Sequence, residues 1–102
     1  MTLCGGISDE INTDQHPELV AALTEHLAVL NSKAGSNASK MHLVSYKTQV
    51  VSGTNYFAKL RLDDSDAHIH ARIFQGLPHT GGKFEVHDVQ KDHTKDSALA
   101  YF

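Results

Sequence analysis

The chain has no tryptophan, only two prolines, and Cys4 as its single cysteine among 102 residues. One cysteine allows no disulfide within the chain, so packing alone must stabilise the fold, which suits a reducing compartment. The first thirty residues lack the continuous apolar core of a secretory signal, and no later stretch could span a bilayer. We therefore expect a cytoplasmic protein with no membrane contact.

The chain also lacks a large excess of charge of either sign. Nine lysines and arginines stand against twelve acidic residues, for a net charge of -3, and the basic residues are scattered. Since no basic stripe could neutralise a phosphate backbone, nucleic acid is excluded as an expected partner. Hydrophobic residues make up 40% and charged residues 21%, as in ordinary globular proteins, and the length suits a single domain.

An amphipathic helix of about four turns is predicted in the first third of the chain. Asp14 or Thr13 can cap its start, and Pro17 is tolerated only in the first turn. Gly35 offers a left-handed end to the helix. One face repeats leucine, at Leu19, Leu23, Leu27 and Leu30.

The rest of the chain alternates as β-strands do, over residues 42–49, 55–62, 67–75 and 84–89. The residues predicted to share one face of a strand are Val44, Tyr46 and Thr48; Tyr56, Ala58, Leu60 and Leu62; and Ile69, Ala71 and Ile73. The apolar end at residues 99–102 should pack against the body of the protein. A helix followed by sequential strands predicts an α+β fold, with the helix laid across an antiparallel sheet.

Two turns of this sheet are unusually apolar. Residues 50–53, the first tip, contain Val50 and Val51, and residues 76–82, the second tip, contain Leu77 and Pro78. Hairpin turns are normally polar, and aligned exposed apolar residues mark interaction surfaces. In a meander both tips lie at one end of the sheet, and a helix antiparallel to the first strand brings its start and the N-terminal arm there too. Either tip alone is more often a local packing accident.

Three segments of the chain carry a family resemblance. The first is the hairpin run Gln49-Val50-Val51-Ser52-Gly53-Thr54-Asn55-Tyr56-Phe57, the second is the hairpin run Arg72-Ile73-Phe74-Gln75-Gly76-Leu77-Pro78-His79, and the third is the N-terminal stretch of residues 1–6. These segments resemble the cystatin superfamily, and specifically its type 1 members, the stefins. The ending Tyr101-Phe102 is also similar.

The resemblance implies a five-stranded antiparallel sheet wrapped around one helix, in a single domain of residues 1–102 with a flexible inhibitory arm at 1–8. It implies a reversible, tight-binding competitive inhibitor of papain-like cysteine proteases of the cathepsin type, with no cofactor and no metal. A monomer is expected, and a domain-swapped dimer is possible in this family. The implied protease-binding residues are Leu3, Cys4, Gly5, Gly6, Gln49, Val50, Val51, Ser52, Gly53, Leu77, Pro78 and His79.

Three other interpretations remain open. An enzyme would need a nucleophile and a base, and Cys4 with a histidine is the only formal candidate, on an arm poorly suited to catalysis. A metal could be held by His68 and His70 together with His87 or His93, although solvent-facing histidines explain this pattern more simply. The third is a cystatin-like fold that binds proteins without inhibiting proteases.

Overall fold

The computed structural model describes residues 8, 10–100 and 102, apart from the side chain of Thr80. Its helices are α1 (Pro17–Glu25) and α2 (Leu27–Ala34), and its strands are β1 (Met41–Val51), β2 (Gly53–Leu62), β3 (His68–Gln75) and β4 (Phe84–His93). A short 3₁₀ turn, Pro78–Thr80, precedes β4. The strands form an antiparallel meander in the order β1-β2-β3-β4. The predicted α+β class is therefore confirmed.

The start of the helix differs from the prediction. The cap is His16, whose ring nitrogen Nδ1 accepts a hydrogen bond from the Leu19 backbone N–H at 3.1 Å. Neither predicted cap plays this part, because the Thr13 hydroxyl and the Asp14 carboxylate both accept from Gln15 instead. The predicted position of the proline in the first turn is correct.

The predicted single helix is interrupted at one residue, His26, which has φ -104° and ψ 21°. Backbone hydrogen bonds still cross the interruption, from His26 N–H to Ala22 and from Leu30 N–H to His26. The two helices thus form a nearly continuous rod, which ends at Gly35 in the predicted left-handed conformation, with φ 66°.

The main core lies between this helical rod and one face of the sheet. It is formed by buried leucines of both helices and by alternate residues of the first three strands, among them Leu19, Leu23, Leu30, Leu43, Tyr46, Tyr56, Ala58, Leu60, Ile69, Ala71 and Ile73. The residues predicted to share a face in β2 and in β3 do so, on the side that faces the core. In β1 the prediction for Val44 is wrong, because a β-bulge between Leu43 and Ser45 shifts the register and Leu43 is buried against the helices instead.

The opposite face of the sheet is also covered. Phe57, Lys59 and His70 are buried there, and Leu99 from the end of the chain is 2% exposed. The Phe102 ring lies 5.8 Å from that of Phe57. The predicted packing of the chain end is thus confirmed for these residues, whereas Tyr101 lies outside the described part.

The predicted exposure of two histidines is wrong. His68 is 5% and His70 is 1% exposed. They project from β3 opposite Ile69 and Ala71, so alternation places them under the covered outer face instead of in solvent.

The described residues contain four strands where five were expected. At the open edge of β1, Ser8 N–H donates to the carbonyl of Thr48 at 2.8 Å, and Ile11 and Tyr46 exchange both backbone hydrogen bonds. Among the described residues these contacts form an isolated bridge beside β1, and residues 1–7 and 9 lie outside the described part. Neither described helix has the length and apolar character that a membrane crossing requires.

Candidate functional site

The first tip projects from the end of the β1–β2 hairpin. The two strands pair as far as Val51 and Gly53, which leaves Ser52 at the turn. Val50 is 66% exposed, the highest exposure among the large exposed hydrophobic side chains of the described residues. Val51 is half-buried and Ser52 is exposed. The tip therefore presents one branched apolar side chain fully to its surroundings and a second one in part.

Gly53 closes this turn in a conformation that other residues rarely adopt, with φ 131°. A Cβ atom at this position would lie 2.4 Å from the carbonyl oxygen of Gln75 and 2.7 Å from Cζ of Phe74. The backbone of β3 and an aromatic ring therefore occupy the space that a side chain would need. Glycine is required here both for its dihedral angles and for this close approach.

The second tip is held together by its own backbone. Gly76 N–H donates to Lys83 at 3.1 Å, Gly82 N–H to Leu77 at 3.1 Å, and Gly81 N–H to Pro78 at 3.0 Å. Leu77 is 38% exposed, and Pro78 and His79 are exposed. These three residues thus form a surface on a loop whose shape is set by hydrogen bonds within it.

Gln75 links this loop to the sheet. Its Nε2 donates to the carbonyl of Gly82 at 3.2 Å, and its Oε1 accepts from the hydroxyl of Tyr56 at 3.4 Å. Burial, and after it the neighbouring Tyr46 hydroxyl, raises the pKa of Tyr56, so this hydroxyl keeps its proton and remains a donor. The link therefore persists across the neutral pH range.

The two tips lie side by side. Gly53 and Thr54 line one cleft together with the second tip and with Glu18 of α1, and its volume is about 480 Å³. The start of the helical rod thus lies at the same end of the sheet as both tips, as predicted. The hydrogen bonds of Ser8 to Thr48 place the beginning of the described chain beside β1, close to this end. The arm residues Leu3, Cys4, Gly5 and Gly6 lie outside the described residues.

Gln49 directly precedes the first tip and is half-buried. Its Oε1 accepts a hydrogen bond from Asn55 Nδ2 at 3.2 Å, across the β1–β2 pair. The predicted residues of both hairpins are thus brought together at one end. Sequence reasoning did not single out Phe74, Gln75 or Tyr56 as support for the tips, although all three lie in the hairpin segments that carry the resemblance.

The metal hypothesis finds no geometric support in the described residues, which contain no group of three metal-ligating side chains. The rings of His70 and His93 stack in parallel, with centroids 3.7 Å apart, and this stacking does not point their nitrogens at a common centre. His68 Nδ1 lies 2.8 Å from the carbonyl of Asp66, which occupies one of its ring nitrogens.

A helical rod on an antiparallel meander, with two ordered apolar tips at one end, defines a small binding domain. Comparison with known proteins identifies its family. The Cystatin domain matches residues 5–96. Cystatin-B of Oplegnathus fasciatus is 34% identical over 100 residues, covering 98% of this chain and 97% of that protein.

Two further relatives agree with this match. Cystatin-A2 of Dictyostelium discoideum is 36% identical over 102 residues, with full coverage of both chains. Human Cystatin-B is 37% identical over 86 residues, covering 79% of this chain and 87% of its own. The chain belongs to the cystatin family, whose members are cysteine protease inhibitors and not enzymes.

Proposed function

We propose that this protein is a reversible, tight-binding competitive inhibitor of papain-like cysteine proteases, and that its two tips enter the active-site cleft. The observation that supports this most strongly is the pairing of two apolar tips at one end of a rigid sheet. Val50 and Leu77 are both exposed there, and Gly53, at the end of the first tip, lies against Phe74 and Gln75, which lead into the second tip. Aligned exposed apolar groups of this kind mark an interaction surface.

The fixed shape of the tips suits inhibition without cleavage. A cysteine protease needs its thiolate about 3 to 3.5 Å from a scissile carbonyl in near-attack geometry. A pair of turns closed by their own hydrogen bonds fills a cleft without offering an extended peptide for attack. The inhibitor then excludes substrate sterically and dissociates intact.

Affinity would come from apolar burial at the tips, at about 25 cal/mol per Å² before the costs of ordering are subtracted. Those costs are small for the hairpins, since hydrogen bonds already hold the second tip and Gln75 links it to the sheet. The free protein therefore needs little rearrangement of either tip on binding.

The family resemblance assigns a side of the cleft to each part. Gln49, Val50, Val51, Ser52 and Gly53 would cover the leaving-group side, together with the surface of Leu77, Pro78 and His79. Leu3, Cys4, Gly5 and Gly6 would lie along the acyl side, with one of the two glycines as the pivot of the arm. The contribution of the arm rests on the resemblance alone.

The proposal includes cathepsin-type proteases as partners of a cytoplasmic monomer. Support for the compartment comes from the cysteine count, because a lone cysteine makes no internal disulfide among these 102 residues.

The test is a titration of papain, at known active-site concentration, with the full chain against a small peptide substrate. We expect stoichiometric loss of activity, recovery on dilution, and an apparent inhibition constant that rises linearly with substrate concentration. Full papain activity at micromolar inhibitor would overturn the proposal and favour a binding module that does not inhibit proteases.

A further inference from the structure

A row of side chains crosses the outer face of the sheet directly beneath the tips. Register pairs Gln49 of β1 with Asn55 of β2, and Asn55 with Phe74 of β3. On β4 the ring of His87 stacks on that of Phe74, with centroids 5.4 Å apart and planes 15° from parallel. Each strand thus contributes one side chain to a layer opposite the helical rod.

Phe74 is the member of this row that touches the first tip. Its ring atoms Cζ and Cε1 would lie 2.7 and 2.8 Å from a Cβ at Gly53, so the edge of the ring lies directly against the glycine backbone. The ring is held from the other side by His87, whose Nε2 lies 3.3 Å from a carboxylate oxygen of Glu85. The end of the first tip therefore rests on an aromatic ring that β4 holds in place.

The residue after Phe74 holds the other tip. Gln75 projects to the opposite face and bonds both Tyr56 and Gly82, as described above. The carbonyl of Gln75 also lies where a side chain of Gly53 would be. Two consecutive residues of β3 thus contact both tips, and the distance between the tips depends on this short segment.

We propose that Phe74 is a positioning residue that fixes the first tip relative to the second, with His87 supporting its ring. The effect on inhibition rests on the proposed function, whereas the effect on the tip itself belongs to the free protein. Without the ring, residues 50–53 lose the surface against which Gly53 packs. The tip must then be ordered when it binds, and that ordering weakens affinity on the order of ten-fold.

The test compares the full-length variants Phe74→Ala, Phe74→Leu, Phe74→Tyr and His87→Ala with the wild type. The matched control is His93→Ala, because His93 also lies on β4 and stacks on a β3 ring, but at the other end of the sheet. For each protein we would measure NMR backbone order parameters of Ser52 and Gly53, the thermal midpoint, and the rate of dissociation from papain.

We expect Phe74→Ala and His87→Ala to lower the order parameters of the first tip and to raise the dissociation rate, by about ten-fold for Phe74→Ala. Phe74→Tyr should fall between Phe74→Ala and the wild type in both quantities, because it keeps the flat ring but adds a hydroxyl at Cζ, the atom that meets Gly53. His93→Ala should shift the thermal midpoint without changing either quantity. A purely structural role of Phe74 would lower the thermal midpoint while leaving tip order and dissociation rate as in the wild type, and that result would overturn the inference.

The order parameters separate this inference from the proposed function. If the wild type fails to inhibit papain, the proposed function is wrong. Independently of that result, unchanged order parameters of Ser52 and Gly53 in Phe74→Ala would overturn the positioning role of Phe74. If Phe74→Ala does not fold, Phe74→Leu and His87→Ala decide the question with the same measurements, since both are milder changes. Tip order equal to that of the wild type in both would contradict the inference.

Discussion

The imidazole of His93 lies flat on that of buried His70, with centroids 3.7 Å apart and planes 8° from parallel. Nε2 of His70 is buried and has no hydrogen-bond partner among the described residues. Burial first, then the charges of His93, Lys59 and His68, lower the pKa of His70 from 6.5 to about 4, and only Glu10 opposes them. The folded protein therefore resists protonation at this ring.

The free energy of unfolding should consequently depend on pH between the two pKa values of His70, 6.5 and about 4. In the unfolded chain His70 binds a proton near pH 6.5, and in the folded protein only near pH 4, so the unfolded state holds more protons between them. The contribution of His70 is complete above pH 6.5 and falls as the pH drops towards 4, by on the order of 2 kcal/mol.

The measurement is urea unfolding at pH 7.5, 5.5 and 4.5 for the wild type, His70→Leu and a control, His79→Ala, in the exposed second tip. The wild type and the control should lose stability in parallel. His70→Leu should lose about 2 kcal/mol less than either over this pH range. A His70→Leu curve parallel to the wild type would show that another group is responsible.

Lys59 places a buried charge on the outer face of the sheet. Its side chain is 5% exposed, its Nζ donates to the carbonyl of Lys95 at 2.7 Å, and it lies 3.8 Å from a carboxylate oxygen of Glu10. Ser45 donates to the same Glu10 carboxylate at 2.6 Å. We expect Lys59→Met to lower the free energy of unfolding by about 1 to 3 kcal/mol, because it leaves these acceptors without their charged partner.

A double-mutant cycle with Glu10→Gln should give a coupling free energy of about 1 kcal/mol, measured by urea unfolding. Lys91→Met, at an exposed position of β4, is the matched control and should change stability by less than about 0.5 kcal/mol. Zero coupling in the cycle would mean that the ion pair adds nothing to the stability of the fold.

A substitution at Val50 should weaken protease binding without changing the stability of the fold. Its side chain is 66% exposed, so Val50→Ser should change the free energy of unfolding by less than about 0.5 kcal/mol. If the side chain is buried in the protease cleft, the same change should raise the inhibition constant for papain about ten-fold. Val29→Ser, on the exposed side of α2, is the control and should leave inhibition unchanged. An equal effect of both variants would argue against the first tip as the contact.

Much of the site could be predicted from sequence, because strand alternation and a meander order determine which turns share an end of the sheet. Val50 and Leu77 break the usual polarity of turns, and that signal is local. The burial of His68 and His70 could not be read in the same way. The outer face is covered from segments far along the chain, where the ring of His93 stacks on that of His70 and the ring of Phe102 meets that of Phe57.

Local irregularities of the backbone could not be predicted from the sequence either. The bulge that displaces Val44 breaks the periodic pattern of β1, and the interruption at His26 breaks that of the helix. Neither is marked in the sequence by a glycine or a proline. The cap at His16 replaced two residues with better intrinsic capping preference, since both bonded to Gln15. Such choices between near-equal local contacts are settled by the surrounding structure.

The most direct test of the central claim compares Gly53→Glu with Gly35→Glu. Both glycines have positive φ, but Gly35 ends the helical rod and has open space around it, whereas Gly53 closes the first tip. We would measure the inhibition constant for papain and the free energy of unfolding of each full-length variant, at a pH where each is folded.

Gly53→Glu should weaken inhibition by about 100-fold or more, beyond any loss explained by unfolding, because its side chain would meet the Gln75 carbonyl and the Phe74 ring and would displace the tip that enters the cleft. Gly35→Glu should lose stability and keep its inhibition. Inhibition reduced equally in the two variants, or unchanged in Gly53→Glu, would contradict the account of a cleft blocked by these tips.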